Sequence, residues 1–319
     1  MKIKEIYLIL ASVLMLSISA GAQMPEKLIP GGNTIGIRAG TKGLLVTAVE
    51  EDSPAERAGL RRGDVLLNVE GQPLKKAEQL LSRMADGKML HLDVERGSRA
   101  HAVAVVPEQQ GNIYRMGAYV RDHVAGIGTV SFYDPEKGTF GALGHGINDP
   151  GSELPLEIDA GLVIPSSVCG VVRGVSGAAG QLKGEFDVQH IMGTVSSNTK
   201  SGVFGTLTPP PWKPVPVACS REIRCGAAEI LSNVKDRQVQ RYSIEILKCM
   251  DEKTAQGKDM LIRVTDPELL RSTGGIVQGM SGSPILQDGK LVGAVTHVLV
   301  NSPDTGYGIF IENMLEEAG

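Results

Sequence analysis

Aromatic residues are scarce in this chain. Phe, Trp and Tyr make up 4% of its 319 residues, with a single Trp. A core must therefore be assembled from Val, Ile, Leu and Ala. Neither sign of charge is in large excess, since 32 Lys and Arg face 36 Asp and Glu. No basic run and no aromatic-basic interleaving marks a nucleic-acid surface. Only four cysteines occur, Cys169, Cys219, Cys225 and Cys249, and none forms a C-x-x-C pair. That excludes the common zinc and thiol-redox motifs. A small Cys219–Cys225 disulfide loop and buried free thiols stay equally open. There is no internal repeat and no low-complexity tract. No metal or organic cofactor is implied.

Glycine, by contrast, is abundant at 40 residues, which predicts many tight turns and a β-rich fold. The N-terminus carries an export pattern. Lys2 and Lys4 precede an apolar run from Ile6 to about Ile18, and Ala20-Gly21-Ala22 offers an A-x-A cleavage site. Residues 1–22 thus read as a signal peptide or an uncleaved membrane anchor, which places the bulk of the protein outside the cytoplasm. No other segment could span a bilayer, which takes about 20 apolar residues. Residues 23–33 form a linker.

Residues 34–107 show strand-like runs at Gly43–Val49, Val65–Val69, Leu90–Glu95 and His101–Val106. Between the first two, Ser53-Pro54 predicts the start of a short helix, with Ser53 as N-cap, and Gly59 predicts its end. A second helix is expected over about Lys76 to Met84. The run Ser53-Pro54-Ala55-Glu56-Arg57-Ala58-Gly59-Leu60-Arg61-Arg62-Gly63-Asp64 resembles the signature of PDZ domains of bacterial proteases. Such domains bind an extended peptide as an added strand. The resemblance maps their carboxylate-binding loop to Ile35, Gly36 and Ile37.

Residues 108–319 have no long helical period. Short apolar runs broken by glycine predict a sandwich or barrel, with helices only near Pro267–Ser272 and Glu312–Ala318. Within this part stands Gly279-Met280-Ser281-Gly282-Ser283-Pro284, a G-x-S-G-x-P hexapeptide of the kind that carries the nucleophile of chymotrypsin-like serine proteases. A serine on a glycine-flanked turn exposes its hydroxyl, and the N–H groups of Gly279 and Ser281 can point at a developing oxyanion. Pro284-Ile285-Leu286, the turn Asp288-Gly289 and the run Leu291 to Val295 predict a β-hairpin directly after it.

A serine needs a base. Of six histidines, His145 stands between Gly144 and Gly146 at the end of an apolar segment, which permits close approach. His297, on an apolar strand, reads as a core histidine. The third member of a triad would be a carboxylate, and the chemistry leaves Asp266, Asp149 and Asp134 open.

Several stretches together resemble the SpoIVB-type serine peptidases, the stage IV sporulation protein B family. They are Gly141-Ala142-Leu143-Gly144-His145, Val264-Thr265-Asp266-Pro267, the run from Thr273 through Ser281 to Ile285, and Gly293-Ala294-Val295-Thr296-His297. The resemblance implies Ser281 as nucleophile, His145 as base and Asp266 as orienting acid. It further implies an enzyme released between the forespore and mother-cell membranes during sporulation. There it would cleave itself and a membrane-bound regulator of an intramembrane protease, leading to sigma-factor processing. The expected architecture is a mainly β chain, a PDZ domain at 34–107 followed by a chymotrypsin-like or related all-β peptidase domain at 108–319. The alternative is a PDZ-based peptide-binding scaffold whose protease-like domain is inert.

Overall fold

The computed structural model of the chain describes residues 24–97, 99–148, 155–250 and 257–318. The expected leader at 1–22 and the candidate Asp149 lie outside the described residues. Within the expected linker 23–33 lies a strand, β1 (Lys27–Pro30), which pairs with Val215 and Pro216 and with Phe132 and Tyr133 because Leu28 and Ile29 bury against the later part of the chain. The first lobe holds β2 (Thr34–Val49), α1 (Pro54–Arg57), β3 (Val65–Val69), β4 (Gln72–Pro73), α2 (Ala77–Met84), β5 (Leu90–Arg96) and β6 (Arg99–Val105). A hairpin, β7 (Glu108–Gln110) and β8 (Ile113–Arg115), leads into β9 (Ala118–Asp134) and β10 (Thr139–Ala142). Next come β11 (Ile158–Val172), β12 (Gln181–Phe186), β13 (Gly193–Thr199), β14 (Gly202–Leu207) and β15 (Val215–Pro216). The last part holds β16 (Gly226–Ser232), β17 (Gln240–Cys249), β18 (Met260–Val264) and α3 (Pro267–Thr273). It ends with β19 (Pro284–Gln287), β20 (Lys290–Leu299), β21 (Ser302–Phe310) and α4 (Ile311–Ala318).

Local sequence accounts for the small elements. Ser53 Oγ accepts from the Glu56 N–H at 3.2 Å and Pro54 opens α1, as the S-P pair predicts. Gly59 then takes φ +85°, the left-handed conformation that ends helices. On α2 the buried residues Leu80 and Met84 are four apart and share one face. Asp288 and Gly289 both have positive φ, 50° and 77°, the geometry of a two-residue hairpin turn between β19 and β20.

Two sheets carry the fold. Strands β16-β17-β18-β21-β20-β19 close into a six-stranded barrel. Its interior is filled by alternate residues such as Tyr242, Ile244 and Ile246 on β17 and Met260, Ile262 and Val264 on β18. The larger sheet runs β15-β1-β9-β10-β14-β13-β11-β2-β3-β5-β6. Its β3-β5-β6 end and the helices α1 and α2 enclose the core of the PDZ domain, with Leu44, Leu66, Leu80, Leu92 and Val94 buried together. The chain is therefore mainly β, a PDZ domain beside a β-barrel part.

Strand β2 begins at Thr34 rather than near Gly43, because Ile35, Ile37 and Ala39 alternate inward between glycines that hide the pattern. One edge pairs with β9 along most of its length, and the other pairs with β11 over the first half and with β3 at Leu44 and Leu45. All four cysteines are free thiols, with Cys169 and Cys225 exposed. Among the described residues no helix is long and apolar enough to cross a membrane.

Candidate active site

The turn that presents Ser281 is held against β9. Gly279 and Gly282 have φ of +100° and +95°, which a side chain would strain. Close approach adds a second requirement. A Cβ on Gly282 would sit 2.0 Å from Thr129 O and 2.5 Å from Leu143 N. The Thr129 N–H donates to Ser281 O at 3.0 Å, and Thr129 Oγ1 donates to Gly279 O at 2.7 Å. From the other side the Gly282 N–H donates to Val295 O at 2.7 Å. The N–H groups of Gly279 and Ser281 donate to no described residue. The Ser281 hydroxyl donates to Thr296 O at 2.8 Å.

His145 reaches the same place by a strained turn. Leu143 and Gly144 both lie in the left-handed region, with φ of 71° and 69°. For a leucine that costs roughly 1–2 kcal/mol, a strain typical of sites where a side chain must be aimed. His145 Nδ1 lies 2.9 Å from Gly146 O. A carbonyl only accepts, so Nδ1 carries the proton and Nε2 keeps its lone pair. Burial holds the imidazole pKa below its usual 6.5, so the ring is a neutral base at neutral pH.

His297 belongs to this cluster too. Its ring centroid is 5.0 Å from that of His145, and its Nδ1 is buried without a partner. Burial first, then the neighbouring His145 and Lys258, push its pKa down to about 4. His145 and His297 line one cavity of about 380 Å³ with Ile37, Val124, Ile127 and Leu143. The residue before His297, Thr296, holds the Ser281 hydroxyl. The turn of Ser281 and the loop of His145 thus converge on the middle of β20. Its apolar strand setting conceals His297 in the sequence, and only the folded contact of the Ser281 turn with Val295, two residues before it, brings it to this cluster.

Asp266 is placed elsewhere in the network. Its carboxylate accepts from the N–H groups of Glu268 at 2.9 Å, Leu269 at 3.0 Å and Ser243 at 3.4 Å. It is the N-cap of α3, followed by Pro267 at the first helical position. Among the described residues no hydrogen bond joins it to His145, whose Nδ1 uses the Gly146 carbonyl instead. The pair Asp266-Pro267 before an apolar run is itself a helix-start signature. Asp134 likewise serves a turn, accepting from the Glu136 and Lys137 N–H groups at 3.0 and 3.2 Å.

Ile35, Gly36 and Ile37 do not form a loop. They lie in mid-sheet, opposite Pro165, Ile164 and Val163 of β11 on one side and Gly128, Ile127 and Gly126 of β9 on the other. Ile35 is 0% and Ile37 3% exposed. With both edges of β2 paired, no groove opens there, which corrects the expectation from the PDZ resemblance. A groove of about 620 Å³ lies instead between α2 and the start of β9, lined by Leu81, Met84, Met116, Gly117, Ala118 and Tyr119. The strand beside α2 thus enters at the C-terminal end of the domain. The short apolar run Ala118-Tyr119-Val120 directly after Gly117 is the sequence signal for it.

The sequence model of the family described as SpoIVB peptidase S55 matches residues 112–315. That of a PDZ domain matches residues 45–96. Among curated proteins, HhoA of Synechocystis sp., named as a serine protease, is 38% identical over 73 residues, 22% of this chain and 18% of that protein. The mitochondrial serine protease HTRA2 of Bos taurus is 38% identical over 66 residues, 21% and 14% of the two chains. The magnetosome formation protease MamE of Magnetospirillum gryphiswaldense is 30% identical over 99 residues, 29% and 13%. The matched segment thus spans less than a fifth of each relative. The PDZ domain of an SdrC-like protein from Listeria monocytogenes is a solved structure with 17% identity and a TM-score of 0.24, covering 25% of this chain and 90% of that one.

Proposed function

Because the chain belongs to the SpoIVB peptidase S55 family, we propose that it is an exported serine endopeptidase acting through Ser281 and His145. The observation that carries this is the convergence of a glycine-flanked serine turn, with two N–H groups that donate to no described residue, and a neutral buried imidazole on the same stretch of β20. The Ser281 hydroxyl, which donates to Thr296 O in the structure, must leave that acceptor to meet His145. Free enzymes often hold such groups in a relaxed geometry that tightens on binding. His145 Nε2 takes the hydroxyl proton as Oγ bonds to the scissile carbonyl carbon. The carbonyl oxygen, now anionic, meets the N–H groups of Gly279 and Ser281. The C–N bond breaks, the imidazolium returns the proton to the leaving amine, and water then hydrolyses the acyl ester by the same route. Gly146 O holds Nδ1–H and so fixes the tautomer, the task a carboxylate performs in a Ser-His-Asp triad. Asp266 acts one step away, by capping the helix that leads into the nucleophile turn.

The family also supplies the setting that we propose: self-cleavage and cleavage of a membrane-bound regulator during sporulation, in the space between forespore and mother cell, with the PDZ domain binding peptide. The export pattern of residues 1–22 supports this placement. A second reading, an inert peptide-binding scaffold, draws on the Ser281 hydroxyl being bound to Thr296 O and on His145 Nδ1 facing the Gly146 carbonyl, with no carboxylate hydrogen-bonded to it among the described residues. A fluorophosphonate probe separates the two. Labelling of Ser281 that disappears in His145→Ala, with self-cleavage lost in Ser281→Ala, is the expected result. Folded wild-type protein that takes no label and cuts nothing would leave the scaffold.

A further inference from the structure

We propose that a polypeptide substrate lies as an added strand along the free edge of β9, with its apolar C-terminus anchored at Met116–Ala118 and its scissile bond beside Ile127. The position of the scissile bond rests on the peptidase reading, whereas the path of the chain does not.

Strand β9 lines three hollows in order. Ala118 and Tyr119 border the 620 Å³ groove, Asp122 and His123 a hollow of about 350 Å³ beside Lys75 and Lys76, and Val124 to Ile127 the 380 Å³ cavity of His145. Over Ala118 to Thr129 one edge of β9 is paired with β2. Its other strand partners, β1 and β10, pair only with residues from Val130 onward. The opposite edge from Ala118 to Gly128 is therefore without a described strand.

Backbone directions along that edge follow from the pairing. The Glu50 N–H donates to Gly117 O at 2.8 Å while Val49 stands opposite Ala118. In an antiparallel ladder that leaves the N–H and C=O of Ala118 pointing away from β2. At the other end the Thr129 N–H donates to Ser281 O at 3.0 Å and the Leu143 N–H to Thr129 O at 3.1 Å. Thr129 therefore also faces away from β2, and by alternation so do Ile127 and Ala125. The nucleophile's own carbonyl occupies the edge at Thr129, so a strand added at Ala125 and Ile127 ends against Ser281. Between these two stretches the ladder is irregular, since Gly40 pairs with His123 and Leu45 with Arg121. There the guest chain bridges rather than pairs.

The anchoring end has the chemistry of a C-terminus site. Leu81 on α2, 59% exposed, stands with Met84, Ala85 and Met116 around an apolar hollow. The Gly117 N–H donates to no described residue, and Arg115 lines the same groove. An apolar last side chain and a free carboxylate suit these groups. An added antiparallel strand then runs from its C-terminus at Ala118 back toward Ile127. At about 3.3 Å per residue the path is roughly 30 Å, which puts cleavage roughly eight to ten residues before the substrate's end.

The test uses Ser281→Ala protein, which holds peptide uncut. The probe is a twelve-residue peptide of alternating Thr and Ser ending in a free Val, with benzoylphenylalanine at the third or the ninth residue from that end. Photo-crosslinks mapped by mass spectrometry are expected on Leu81–Ala85 or Met116–Tyr119 for the third position. For the ninth they are expected on Val124–Ile127 or His145–Ile147. Amidating the peptide's end, or the surface change Leu81→Asp, is expected to weaken binding at least tenfold by fluorescence anisotropy. Ninth-position crosslinks confined to the PDZ domain, or equal binding of the amidated peptide, would overturn the proposal. Crosslinks as expected, with wild-type protein leaving the same peptide whole, would remove the peptidase reading and leave the path standing.

Discussion

Replacing Asp266 by asparagine separates two roles that replacement by alanine confounds. In the structure the Asp266 carboxylate accepts three backbone N–H bonds and caps α3. Asparagine and aspartate are nearly equal N-caps, whereas Ala in place of either costs about 1 kcal/mol. Loss of the charge near the helix N-terminus removes a further ~0.3–1 kcal/mol at most. Asp266→Ala is therefore expected to lower Tm by roughly 3–8 °C for a domain of this size, in which about 1 kcal/mol shifts Tm by about 2–4 °C, and Asp266→Asn by less. If Asp266 instead oriented His145, an isosteric Asn would stabilise the wrong tautomer. A triad loses about 10⁴ in kcat by that change, equivalent to ~5.4 kcal/mol at ~1.36 kcal/mol per decade. Because Gly146 O already holds His145 Nδ1, Asp266→Asn is expected to keep kcat/KM within about threefold. The assay is hydrolysis of a quenched fluorescent peptide, run beside a thermal melt. A loss of a thousandfold or more in Asp266→Asn at unchanged Tm would refute the assignment of the residue to the helix cap alone.

Two further outcomes follow from the same geometry. Gly282→Ala puts a Cβ 2.0 Å from Thr129 O at φ +95°. The turn must move off β9, so fluorophosphonate labelling of Ser281 should fall at least tenfold with a lower Tm, and full labelling would show that the docking is looser than described. Burial holds the His145 pKa below 6.5, so the base stays unprotonated into mildly acid solution. The acid limb of kcat/KM is expected to have its midpoint below pH 6.5 and to move up toward 6.5 in His297→Ala, where water reaches the ring. A midpoint at or above 6.5 in wild-type protein would contradict the burial argument.

What could be read from the sequence was local. Ser53-Pro54, Gly59 and Asp288-Gly289 announce a cap, a helix end and a hairpin turn because each depends on one or two residues' own φ/ψ preferences. The glycines around Ser281 were readable as a turn, but their reason was not. That Gly282 must clear Thr129 O and Leu143 N depends on residues about 150 positions away in the chain. The full length of β2 is hidden in the sequence because Gly36, Gly40 and Gly43 dilute its alternation. The PDZ resemblance maps a binding loop to Ile35 and Ile37, whereas in the structure β9 supplies the strand beside α2. Asp266 is the acid that the family resemblance implies, and the direction of its carboxylate toward three backbone amides, a cap, could not be read from the sequence.

The shared strands change what a peptide-binding domain can contribute. A domain on a flexible linker raises the local concentration of whatever it binds, with an effect that varies smoothly with linker length. Here β2 and β9 each cross from the PDZ domain into the peptidase part without leaving the sheet. The separation of groove and His145 cavity is then set by strand rise rather than by chain entropy. Register on such a strand is all or none, because a one-residue slip turns every inward side chain outward. Ile35, Ile37 and Leu44 on β2 are buried in separate cores, so a slip that suits one lobe would expose apolar surface in the other. The two sites are therefore held at a fixed spacing by the same burial that stabilises the fold. Selection by such a device depends on how far a chain extends beyond its anchor as well as on the residues at the scissile bond.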